Sequence, residues 1–95
     1  MSDFLAVDLG ATSGRVAIGR ADSNSMTVEV VHRFSHEVVP QSDGSLLWDW
    51  NLILSEVISG LKAAKKKSQP KSIAIDSWAV AYGFISAAKG LLGPI

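Results

Sequence analysis

Apolar positions along this chain follow two different periods. Phe4-Leu5-Ala6-Val7, Val16-Ala17-Ile18 and the valine-rich stretch from Met26 to Phe34 are short apolar or β-branched runs separated by polar turns. They predict strands over Phe4–Leu9, Gly14–Arg20 and Met26–Phe34. The links between them are too short for a parallel crossover, so the three should form an antiparallel meander. Ala21-Asp22-Ser23-Asn24-Ser25 has the polar composition of its second turn. Further along, Trp50, Ile53, Leu54, Val57, Ile58, Leu61 and Ala64 recur at helical spacing. They predict one apolar face, wide enough to cover a sheet, on a helix from Trp50 to Lys67. Asp49 is its expected N-cap, Lys65-Lys66-Lys67 complements the dipole of its last turn, and Pro70 prevents continuation.

The remaining segments are shorter. Ser35–Ser45 contains Pro40 and Asp43-Gly44 and reads as a loop or loose hairpin. Ser72-Ile73-Ala74-Ile75-Asp76 reads as a strand. A helix connects it to the meander, so it should lie parallel to one of the earlier strands. Ser77-Trp78 forms a corner, Ala79–Ser86 continues as a further extended segment, and Ala87-Ala88-Lys89-Gly90 turns. No second helix follows to cover the other face of the sheet, so residues 1–95 are expected to form an incomplete α/β domain.

The densest chemistry lies in Asp8-Leu9-Gly10-Ala11-Thr12-Ser13-Gly14-Arg15, between the first two strands. Glycines let the backbone turn tightly enough for successive N–H groups to meet an anion. Thr12 and Ser13 add hydroxyls, Arg15 adds a planar cation, and Asp8 can hold a magnesium ion through water. The set suits a bound phosphate, although an ordinary turn with Arg15 in solvent has the same composition.

Totals narrow the alternatives. Nine basic residues balance nine acidic ones, so no basic excess attracts nucleic acid. Cysteine is absent, which excludes disulfides and thiolate metal sites. No apolar stretch approaches the roughly 18 residues needed to span a membrane. Met1-Ser2-Asp3 carries no basic leader, so a cytoplasmic protein is expected. The two histidines, His32 and His36, lack a third ligand and are expected to face solvent or a sheet edge.

These elements together resemble the N-terminal portion of a rhamnulokinase, a member of the FGGY carbohydrate kinases. Val7–Val16 is similar to the opening phosphate motif of that family. His32-Arg33-Phe34, Gly44 and Trp48-Asp49 follow in the same order, Ser72–Trp78 resembles the strand and corner that approach the sugar, and Leu91-Leu92-Gly93-Pro94 resembles the next turn. The phosphate hairpin is shared by many sugar kinases, whereas Asp76-Ser77-Trp78 is more selective for rhamnulokinases.

The resemblance implies a partial ribonuclease H-like fold of the actin and hexokinase type, and transfer of the ATP γ-phosphoryl group to the terminal hydroxyl of L-rhamnulose. On that reading Asp8 organises Mg2+, while Ala11, Thr12, Ser13, Gly14 and Arg15 hold phosphate. Asp76, Trp78 and Ala79 lie near the sugar. Plainer roles stand beside these: Asp8 capping a turn, Trp78 as core, and Asp76 satisfied by backbone N–H groups. The family's catalytic aspartate and adenosine loops belong to parts that this chain lacks, so the isolated chain is expected to be inactive. Where rhamnulokinases usually read Trp-Gly-Val-Asp, this chain reads Trp78-Ala79-Val80-Ala81. Those two alanines leave open a shifted sugar preference or a non-catalytic remnant that binds a partner. A segment of an actin-like or chaperone-like ATPase is the third reading.

Overall fold

A computed structural model describes residues 1–95. Strands β1 (Ser2–Leu9), β2 (Ser13–Ala21) and β3 (Met26–Ser35) form the expected meander, each extending one or two residues beyond its predicted ends. The loose hairpin expected after it is β4 (Val39–Pro40) against β5 (Leu46–Leu47). Helix α1 (Trp50–Lys65) begins where predicted. Asp49 caps it by accepting a hydrogen bond from the Leu52 N–H at 3.2 Å. β6 (Ile73–Asp76) then pairs parallel to β1, giving a four-stranded mixed sheet in the order β3-β2-β1-β6. Two hydrogen bonds fix the approach to β6, from the Leu5 N–H to the Ser72 carbonyl and from the Lys71 N–H to the Asp3 carbonyl. No helix is long and apolar enough to cross a membrane.

The segment after β6 departs from expectation. Ala79–Ser86 is not one extended run. It bends at Ala79-Val80, stays irregular to Phe84, and pairs only as β7 (Ile85–Ser86) with β8 (Gly90–Leu91). Val80 has φ of 62°, a left-handed conformation that its β-branched side chain disfavours and that breaks an extended path.

The core lies between α1 and one face of the sheet. Leu5, Val7, Val16 and Ile18 alternate inward from β1 and β2, Phe34 joins them from β3, and Ile53, Val57 and Ala64 close the layer from α1. Each fully buried aliphatic side chain stabilises the fold by about 1.5–3 kcal/mol. The helix comes closest at Gly60, where a side-chain carbon would stand 2.9 Å from Val16 Cβ.

The buried stripe of α1 is narrower than its apolar pattern, because the helix covers β2 and β3 more than β1. Leu54 and Ile58 remain exposed, as do Ile73 and Ile75 on β6, which share the helix-side face with Leu5 and Val7 through the parallel register. The opposite sheet face is uncovered, with Phe4, Val28 and Val30 open to solvent. A register shift between Val16 and Ala17 rotates the rest of β3, so Glu29 pairs with Ile18 and reaches Lys67 beyond the helix end at 2.8 Å.

Candidate phosphate turn and aromatic cluster

β1 and β2 stay in register up to Leu9↔Gly14, which leaves Gly10–Thr12 at the tip, with Ser13 opening β2. The tip is closed by the Gly10 N–H donating to the Ser13 carbonyl at 2.8 Å. The amides of Ala11 and Thr12, both exposed residues, form no hydrogen bond within the chain. Neighbouring free N–H groups on a tight turn form the kind of donor set that an anion recruits. Gly14 is required by packing, because a side chain there would overlap the Phe34 ring.

Asp8 and Arg15 face each other across the hairpin. Arg15 donates to Asp8 Oδ2 through Nη1 and to Ser13 Oγ through Nη2, the latter at 3.1 Å. With side-chain exposures of 48% and 30%, the ion pair contributes little to stability, but it orients both groups. Asp8 accepts from Arg15 and from no turn N–H, so it does not act as a turn cap. Its Oδ1 takes no hydrogen bond within the chain, which leaves an acceptor for the water shell of a hydrated cation.

The register extends this pair into a row across the whole sheet. Asp76 lies beside Asp8, Asp8 beside Arg15, and Arg15 beside Arg33. All four alternate with residues of the helix-covered face, so they stand on the open one. Asp76 is exposed, and its carboxylate accepts no backbone N–H, contrary to its plainer reading. Arg33 makes no ion pair and, with Ser13, Gly14, Arg15, Phe34 and Ser35, borders an open concavity of about 330 Å3. A concavity of equal volume among Tyr82, Phe84, Leu92 and Pro94 has no charged lining. Arg33 was not among the expected site residues, because an unbroken register from Ala21↔Met26 would set His32 opposite Arg15, and only the shift between Val16 and Ala17 brings Arg33 there.

The corner after β6 carries Trp78, half-buried, with Ala79 exposed beside it. The Trp78 ring lies 4.4 Å from Trp48 and stacks on His36 at 5.5 Å and 26° between planes. Much of its surface is thus spent on aromatic packing, and its buried Nε1 has no hydrogen-bond partner.

His32 lies on the edge strand β3, as one of the two expected placements has it, whereas His36 is buried. His32 Nε2 meets Glu56 at 2.6 Å, tying β3 to α1. His36 is 2% exposed, and its Nε2 lies 2.8 Å from the Gly10 carbonyl. Burial of His36 depends on Trp48 and Trp78, which come from segments remote in sequence.

Comparison with known proteins is consistent across several relatives, while no family model matches the chain. It is 37% identical over 83 residues to a rhamnulokinase of Lactiplantibacillus plantarum, covering 86% of this chain and 17% of that protein. It is 40% identical over 77 residues to the rhamnulokinase of Oceanobacillus iheyensis, with 80% and 16% covered. To that of Bacillus subtilis it is 34% identical over 80 residues, with 83% and 16% covered. The chain therefore spans about one sixth of the length of these curated relatives. By sequence the chain is similar to a segment of the rhamnulokinases.

Proposed function

We propose that this chain supplies the phosphate-binding part of an ATP-dependent kinase acting on L-rhamnulose. The observation that carries this reading is the β1–β2 turn, which combines unpartnered Ala11 and Thr12 amides, the Ser13 hydroxyl and an oriented Arg15 guanidinium. Phosphoryl transfer depends mainly on positioning and on stabilising charge. The free amides and hydroxyls take up terminal phosphate oxygens. Arg15, already directed by Asp8 and Ser13, meets the remaining negative charge without having to reorganise. Asp8 would hold Mg2+ through its water shell, and the ion would supply positive charge to offset that of the transferring phosphoryl group.

Asp76 ends the adjacent parallel strand and Ala79 lies in the bend just beyond it, and on this reading the two make up the sugar-facing side. Trp78 supports this corner from behind through its contacts with Trp48 and His36. Ala79 and Ala81 make the corner less polar than the Trp-Gly-Val-Asp pattern of the family, which favours a sugar recognised there through fewer hydrogen bonds.

The test is a chimera in which residues 1–95 replace the matching segment of the Bacillus subtilis rhamnulokinase. MgATP-dependent phosphorylation of L-rhamnulose that is lost in Arg15→Ala supports the reading. Turnover indifferent to Arg15→Ala contradicts it. The 95-residue chain alone should show no turnover.

A further inference from the structure

We propose that His36 is the positioning residue of the phosphate turn, holding its peptide planes so that the free amides face an incoming phosphate. The proposal rests on the reading of the turn given above. His36 grips the turn at two points. Its backbone N–H donates to the Thr12 carbonyl at 3.0 Å, and its Nε2 lies 2.8 Å from the Gly10 carbonyl. A carbonyl only accepts, so Nε2 carries the hydrogen.

A trans peptide directs its N–H opposite to its C=O. Drawing the Gly10 carbonyl inward to the imidazole therefore turns the Ala11 N–H outward, toward the exposed side of the turn. The Thr12 carbonyl is fixed from the same residue, so Ala11-Thr12 is suspended between two anchored peptide planes.

The imidazole is itself immobilised. It stacks on Trp78 and lies within 5.9 Å of Trp48 and 6.1 Å of Phe34. Its Nδ1 is buried without a partner, so the Gly10 carbonyl is the ring's one polar contact. Aromatic packing sets where the ring sits, and the bond to Gly10 is what that placement achieves. The same ring joins the phosphate turn to the Trp78 corner, so the two sides of the proposed site share one support.

The experiment is an NMR titration of the 15N-labelled chain with inorganic pyrophosphate, comparing wild type with His36→Phe and His36→Gln. Phenylalanine keeps the ring stack and removes the donor. Glutamine restores an N–H donor near the position of Nε2. The expected result is perturbation of the Ala11 and Thr12 amides in wild type, pyrophosphate affinity weakened about fivefold in His36→Phe, and most of that loss recovered in His36→Gln. Equal affinity in wild type and His36→Phe overturns the positioning role and leaves the phosphate turn standing. Wild-type amides that ignore pyrophosphate overturn both. If His36→Phe does not fold, the imidazole 15N spectrum of wild type decides: hydrogen on Nε2, hydrogen-bonded to Gly10, supports the role, and hydrogen on Nδ1 alone overturns it.

Discussion

The Phe34 ring occupies the space that a side chain on Gly14 would need. These residues are register partners on β3 and β2, at the base of the proposed phosphate turn. Gly14→Ala should therefore destabilise the fold by about 1–3 kcal/mol through overpacking. Phe34→Leu in the same chain should reduce that penalty. Urea denaturation of the single and double variants checks both, and a neutral Gly14→Ala would mean that the ring moves aside freely.

Arg33 lies next to Arg15 without a counter-ion. Like charges directly opposite on a sheet repel, so Arg33→Ala should leave stability unchanged or slightly raised. Pyrophosphate binding should weaken about tenfold, the worth of one charge-assisted hydrogen bond. Calorimetric titration beside thermal melts separates the two effects, and unchanged affinity would remove Arg33 from the anion site.

Glu29 closes the far end of the layer. Its hydrogen bond from Lys67 at 2.8 Å, reinforced by Arg20 at 3.1 Å, holds its carboxyl below the usual glutamate range. A depressed folded-state pKa contributes stability that is complete above the ordinary glutamate value and is lost as pH falls through the lowered one. Glu29→Gln should therefore soften the acid loss of stability. It should not abolish it, because Asp22 is also lowered by the Asn24 and Ser25 N–H groups and Asp43 by the Ser45 hydroxyl and N–H. Denaturation midpoints across an acid pH series test this, and superimposable profiles would contradict it.

Val80 is fully exposed at φ of 62°. A β-branched residue held there stores about 1–3 kcal/mol of strain. Val80→Gly should raise the melting temperature despite glycine's greater unfolded-state entropy. A lower melting temperature would show that the corner gains more from valine than it loses.

The regular elements were legible because their signals are local. β-branched runs between polar turns specified the meander, and Asp49, the apolar spacing and Pro70 specified α1. The proposed phosphate turn was legible because its residues are contiguous. The contributions of Arg33 and His36 were not, since one needs the β2–β3 register and the other needs Trp48 and Trp78 brought together from distant segments. The stretch after Trp78 was misread as extended because its apolar composition suits a strand while its backbone bends at Val80. Similarly, the apolar face of α1 exceeds what the sheet covers, so its pattern overstated its burial.

Whether the β1–β2 turn grips the terminal phosphate of a nucleotide is decided by a crystal structure of the chimeric kinase with magnesium and a non-hydrolysable ATP analogue. The γ-phosphate oxygens should lie within hydrogen-bonding distance of the Ala11 and Thr12 amides, with the Arg15 guanidinium alongside. A nucleotide whose phosphates lie elsewhere, with that turn open to solvent, would contradict it.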